Sequence, residues 1–165
     1  MVEMHLEAVR VELPTSTPVL LLQEVGGAHR TLPIYIGNAE AQAIAYTLQG
    51  IVTPRPMTHD LMREIIEELG ATVECVVITE LRDRTFFAEV RVNGPGRKLA
   101  ISARPSDAIA LAIRIPAPIY ADDALVEAEG IVLEDAEGDQ APESEELVTE
   151  FREFIEGVKP EDFSG

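Results

Sequence analysis

Three carboxylates follow closely behind side chains of helix-capping type: Glu40 after Asn38, Asp60 after Thr58, and Asp107 after Ser106. Such side chains accept hydrogen bonds from the free N–H groups of a helix start, and a carboxylate in the first turn complements the helix dipole. Capping accounts for each of the three taken singly. The same helix ends can also attract a phosphate. Arginines precede two of them: Arg104 before Pro105-Ser106-Asp107, and Arg55 in the Arg-Pro-Met-Thr-His-Asp turn. His59 takes the first position of its helix after a Thr58 cap, where the dipole favours the neutral, base-competent imidazole. A lone histidine in this setting is more often an ordinary surface residue. Glu40, His59, Asp60 and Asp107 match no linear metal motif such as HExxH or an EF-hand loop. Only the fold can bring them together.

The elements that carry these residues occur twice. Arg97 to Ala112 reads RKLAISARPSDAIALA, and 67 positions earlier Arg30 to Ala45 reads RTLPIYIGNAEAQAIA. Arg30/Arg97, Leu32/Leu99 and Ile34/Ile101 match in a strand, and Glu40-Ala41 matches Asp107-Ala108 in the helix after it. Alternation over Glu3–Leu13, the apolar run Val19–Val25, a Gly26-Gly27 hairpin and the strand Arg30–Ile36 lead to a helix over 39–48. The second unit predicts strands at Thr72–Leu81, Thr85–Val92 and Arg97–Ala103, then a helix over Ser106–Arg114. Between them a helix starts at Thr58 and stops at Gly70, its Leu61, Ile65 and Leu69 predicting a buried face with Met62 and Ile66 beside it. Ala117–Tyr120 adds a short strand. The fold class is α+β, with duplicated β3α units (about 3–50 and 71–116), mostly antiparallel or mixed sheets, and a linking helix.

The net charge of −17 opposes contact with phosphates until its distribution is resolved. Residues 1–121 carry only −3, with ten arginines and one lysine, and residues 122–165 carry −14. Residues 1–133 read as the folded domain, 134–146 as an acidic linker, and 147–165 as an amphipathic helix and tail. Leu147, Phe151, Phe154, Ile155 and Val158 share a face that would dock on the domain or on a neighbouring subunit. The lone Cys75 excludes an intrachain disulfide and reads as a buried, inert thiol. No apolar run is long enough to span a bilayer and the N-terminus lacks a signal-peptide pattern, so a cytoplasmic protein without membrane contact is expected. Edge strands of two β3α halves predict a homo-oligomer, dimer or larger. A P-loop, a dinucleotide glycine fingerprint, a GxSxG elbow and a CxxC pair are absent. Arg82-Asp83-Arg84 before Thr85-Phe86-Phe87 reads as a hairpin tip over core aromatics rather than a base-stacking platform.

Taken together, Pro56-Met57-Thr58-His59-Asp60-Leu61, Thr85-Phe86-Phe87-Ala88 and Ala103-Arg104-Pro105-Ser106-Asp107-Ala108-Ile109-Ala110-Leu111-Ala112 resemble the bifunctional nuclease domain family. Ile36-Gly37-Asn38-Ala39-Glu40-Ala41 and the closing Pro160-Glu161-Asp162-Phe163 agree with it. The resemblance covers roughly residues 1–125, and the tail resembles actinobacterial members. It implies hydrolysis of DNA and RNA, with nucleic acid as substrate. Such chemistry needs an activated water and neutralisation of phosphate charge. Under that implication Glu40, Asp60 and Asp107 are candidates to hold a divalent metal such as Mg or Mn or to activate water. His59 is then the general base, and Arg55 and Arg104 bind phosphate. The alternative is a non-catalytic oligomeric assembly or regulatory module whose acidic C-terminal segment contacts a protein partner or a neighbouring subunit.

Overall fold

Alternating apolar residues and paired turns produce the two expected β3α units in the computed structural model, which describes residues 1–13 and 15–133. The first comprises β1 (Val2–Glu12), β2 (Thr17–Glu24), β3 (Arg30–Tyr35) and α1 (Asn38–Leu48). The second comprises β4 (Thr72–Arg82), β5 (Thr85–Gly94), β6 (Arg97–Ala103) and α3 (Pro105–Ala112), with α2 (Thr58–Glu68) between the units. The acidic linker and C-terminal helix expected over 134–165 lie outside the described residues.

All eight described strands form one mixed sheet in the order β6-β5-β4-β7-β1-β2-β3-β8. Each unit is an antiparallel meander, and β7 (Ile119–Ala121) joins the two. It runs antiparallel to β1 and parallel to β4, so the first strands of the two units flank it on either side. The sequence places this strand at Ala117–Tyr120, close to where it forms. Two further elements were not anticipated. Asp122 caps α4 (Asp123–Glu129) by accepting the Ala124 N–H at 3.0 Å, and α4 buries Leu125 and Val126. After it, β8 (Ile131–Val132) pairs with the outer edge of β3. α4 was hidden by its acidic composition, with only two apolar side chains facing inward, and β8 by its length of two residues, both exposed.

Leu20, Leu22, Leu32, Ile34, Val76 and Ile78 from the sheet are buried against Ile44 of α1 and Ile109 and Leu111 of α3. Burying these side chains contributes about 1.5–3 kcal/mol apiece. Ala41 and Ala43 of α1 and their counterparts Ala108 and Ala110 of α3 are also buried, and the two helices are in contact. Small side chains at these four positions let the helix backbones approach closely. Cys75 is buried in β4, and burial pushes its thiol pKa up, as an inert thiol requires.

The linking helix is rotated from its expected orientation. Leu61, Ile65 and Leu69 are 48%, 50% and 69% exposed, while Met62 and Ile66 pack on the core and His59 is buried. Spacing of three and four residues puts His59, Met62 and Ile66 on one stripe. Polar anchors on that side, described below, set the rotation against the pull of the leucine row. No helix among the described residues is long and apolar enough to cross a membrane.

Candidate functional site

The three helix starts are not capped by Asn38, Thr58 and Ser106. Their N-cap residues are Gly37, Met57 and Arg104, and none accepts a side-chain cap hydrogen bond from its helix. The expected capping side chains stand one or two positions inside. Extended backbone at the residue before each helix moves the cap back, and in α3 Pro105 takes the first helical position, where no N–H is needed. Glu40 and Asp107 are thereby left for contacts beyond their own helices, while Asp60 accepts the N–H of its own N-cap residue, Met57, as well as reaching Arg114.

Arg104 links two of the starts. Its Nε donates to Asp107 Oδ2 at 2.6 Å and its Nη2 to Asp107 Oδ1 at 3.0 Å, a bidentate pair. The same Nη2 reaches Glu40 Oε1 on α1 at 2.7 Å. Its Nη1 has no partner among the described residues, and the side chain is 65% exposed. Glu40 can reach Arg104 because Gly37 lacks a side chain. The φ of Gly37, −77°, is ordinary, but the Glu40 carboxylate folds back into the space a Cβ would fill.

The third start enters through His59. Its Nε2 lies 3.1 Å from Asp107 Oδ1, and the imidazole is 8% exposed. The structure therefore buries a histidine whose position in the sequence suits a surface residue equally well. Burial pushes the Asp107 carboxyl up, but hydrogen bonds and charge from Arg104 and His59 outweigh it and hold the pKa below its ordinary 3.8. Asp107 is thus an ionised carboxylate shared by an exposed guanidinium and a buried imidazole.

Asp60 stands apart from this group. Its Oδ2 accepts the Met57 N–H at 3.0 Å and its Oδ1 accepts Arg114 Nε at 2.6 Å. Burial raises its pKa, and the Arg114 and Met57 hydrogen bonds bring the balance below 3.8. Arg114, only 5% exposed, also donates Nη1 to the Ala110 carbonyl at 2.7 Å and Nη2 to the Ala43 carbonyl at 2.9 Å. One buried guanidinium thus ties α1, α2 and the end of α3 together, and with the His59–Asp107 contact it sets the rotation of α2. Sequence reasoning missed Arg114. Its signal was its place in the repeat, where it answers Thr47 of the first copy, which donates only to the Ala43 carbonyl at 3.2 Å. Arg55 is exposed in the loop before α2, and its backbone carbonyl accepts from Thr53. It is not drawn into the group.

The donor set does not fit a divalent metal. Among the described residues no three His, Cys, Asp or Glu side chains gather closely enough to hold one. The carboxylates expected to share a metal are divided between Arg104, which takes Glu40 and Asp107, and Arg114, which takes Asp60. What the arrangement can do with its own groups is accept a proton at an Asp-oriented imidazole and bind an anion at the free face of Arg104.

Beside the group lies a cleft of about 370 Å³, bounded by Ile34–Gly37 at the end of β3, Arg84–Phe86 in the β4–β5 hairpin and Arg104–Ser106 at the start of α3. Phe86 packs partly on the core, and Phe87 lies under the Arg82 guanidinium at 4.5 Å from its ring centre.

Residues 20–134 match the Bifunctional nuclease domain, a span that holds every residue of the group and both helix starts of the repeat. An uncharacterised protein of Mycobacterium tuberculosis (strain ATCC 25618 / H37Rv) is 42% identical over 163 residues, covering 98% of this chain and 97% of its own. Bifunctional nuclease 2 of Oryza sativa subsp. japonica is 26% identical over 117 residues, and Bifunctional nuclease 1 of Arabidopsis thaliana 25% over 117. Each plant match covers 69% of this chain but only 36% of the plant protein. With the family match extending over most of its length, the chain belongs to the bifunctional nuclease domain family.

Proposed function

We propose that this protein hydrolyses phosphodiester bonds of DNA and RNA at the group formed by Glu40, His59, Arg104 and Asp107. The observation that carries the reading is the Asp107 carboxylate shared by buried His59 and exposed Arg104. Its support from relatives is the likeness to plant proteins named bifunctional nucleases.

The chemistry follows from the contacts. Asp107 holds the His59 ring through Nε2 and stabilises the imidazolium once it forms. Nδ1 is then the nitrogen that takes a proton from water as the water oxygen attacks phosphorus. A P–O ester bond breaks, the departing oxygen takes a proton from solvent water, and the His59 imidazolium returns its proton to solvent. Arg104 donates from Nη1 to a non-bridging oxygen without releasing its carboxylates, a hydrogen bond that strengthens as charge develops there in the transition state. Glu40 steers Arg104. Asp60, locked by Arg114, positions the helix that carries His59. Arg55 is a phosphate contact at the periphery.

The test is cleavage of labelled single-stranded DNA and RNA by purified protein, in chelator and in Mg²⁺ or Mn²⁺, beside Asp107→Ala and His59→Ala preparations. Each substitution should lower the rate by about 10²–10⁴-fold, the usual worth of a positioned acid–base group. Cleavage that survives both changes assigns the activity to another site or a contaminant.

A second reading, self-association, is favoured by the exposed Leu61, Ile65 and Leu69 row on α2. In this reading the row is the contact between copies. Sedimentation should show a dimer or larger at micromolar concentration and a monomer for Ile65→Glu; a monomer in both removes it.

A further inference from the structure

The cleft contains an arginine that the hydrolytic group does not use. Arg82 pairs with Thr85 across the β4–β5 hairpin, leaving Asp83 and Arg84 as a two-residue loop with φ of 51° and 61°. Positive φ at both positions is the type I′ turn, whose second residue is usually glycine. Arginine there accepts a conformation that glycine adopts freely. Nothing nearby compensates: Arg84 has no ion pair or hydrogen bond to another side chain among the described residues. Arg82, on the same hairpin, stacks on Phe87 and lies 3.7 Å from Glu80. Arg84 instead lines the cleft that Arg104 enters from the start of α3. The cleft volume falls in the roughly 300–1,000 Å³ range of small-ligand sites. Exposed Tyr35 lies on its wall, an aromatic face that a base can stack on.

We propose that Arg84 binds a backbone phosphate of a nucleic-acid strand lying in this cleft, one contact removed from the group held by Arg104. The choice of ligand rests on the phosphodiester reading above; the cleft and its unpaired guanidinium do not.

The experiment is fluorescence anisotropy of a labelled single-stranded oligonucleotide, titrated with wild-type, Arg84→Gly and Arg84→Lys protein at rising salt. Melting is recorded on each preparation. Arg84→Gly should bind about tenfold more weakly, and its salt dependence should fall by about one phosphate contact, while its melting temperature holds or rises because glycine suits the turn. Arg84→Lys should recover part of the affinity. Unchanged binding by Arg84→Gly overturns the proposal, as does a free 5′-mononucleotide that competes as well as the strand. Parallel cleavage assays separate the two claims. Arg84-dependent binding by a protein that cleaves nothing supports the cleft and removes the nuclease reading. Full cleavage with binding indifferent to Arg84 does the reverse.

Discussion

The two β3α copies share their strands and helices, and differ in what was added around them. In the first copy Leu32 and Ile34 of β3 are buried, with β8 paired along the outer edge. In the second, Leu99 and Ile101 occupy the same places in β6, yet no strand among those described covers that edge, and Ile101 is 49% exposed. At the helix start, Gly37 makes room for Glu40, whereas its counterpart Arg104 reaches across to hold Glu40 and Asp107. At the helix end, Thr47 bonds within its own helix and Arg114 bonds to three elements. Arg30 is clamped on buried Glu24 by three hydrogen bonds, while its counterpart Arg97 is exposed. Duplication therefore supplied a scaffold with two equivalent helix starts, and two arginines in the second copy turned their junction into a polar group. The first copy is the half whose outer edge is covered, and the second is the half whose arginines hold the polar group together.

Swapping the roles is the strongest way to break that division. If the second copy carries the chemistry, Asp107→Ala should cost cleavage about 10²–10⁴-fold and Glu40→Gln less than about tenfold, read as kcat/KM on one oligonucleotide. Equal losses would mean that the copies work as a symmetrical pair. Stability should show the opposite bias. Leu32→Ala should cost about 2–5 kcal/mol in urea unfolding and Ile101→Ala under about 0.5 kcal/mol. A large cost at Ile101 would show the β6 edge to be covered in solution.

A smaller effect distinguishes the helix ends. Arg114→Met leaves Asp60 and two carbonyls without their donor, and should destabilise by about 2 kcal/mol once the partial exposure of Asp60 is discounted. Thr47→Val should cost about 0.5 kcal/mol or less. The smallest effect is in acid. Asp60 and Asp107 have folded-state pKa values below 3.8, so their contribution to stability is present above that pH and lost as the pH falls through the lower values. Asp107→Asn should flatten the acid limb of unfolding free energy measured between about pH 6 and pH 2. An unchanged limb would show that Asp107 ionises alike in folded and unfolded chains.

Much of this was legible in the residues. Periodicity of two, apolar runs and glycine-marked turns placed six of the eight strands because these signals are local, a short apolar stretch suggested a seventh, and the offset of 67 exposed the duplication by direct comparison of residues. α4 escaped, since an acidic segment with one buried pair carries almost no periodic signal, and β8 escaped because two residues are too few to show one. The rotation of α2 escaped for a different reason. Leu61, Ile65 and Leu69 form as good an apolar row as Met62 and Ile66, and the decision lay with polar contacts to residues about 50 positions away.

The candidate site divides along the same line. Residue types and local spacing determined that Glu40, His59, Asp60 and Asp107 sit in first helical turns, and that Arg104 stands beside one of them. A helix turn reaches only three or four residues, so nothing in that spacing could say which carboxylate meets which arginine. The tertiary structure decided it. By packing α1 against α3 and fixing α2 with Arg114, it joined Glu40, Arg104, Asp107 and His59, set Asp60 apart, and left Arg55 outside. Side-chain contacts of 2.6–3.1 Å are set by how backbones pack, and that packing is a sum over the whole core.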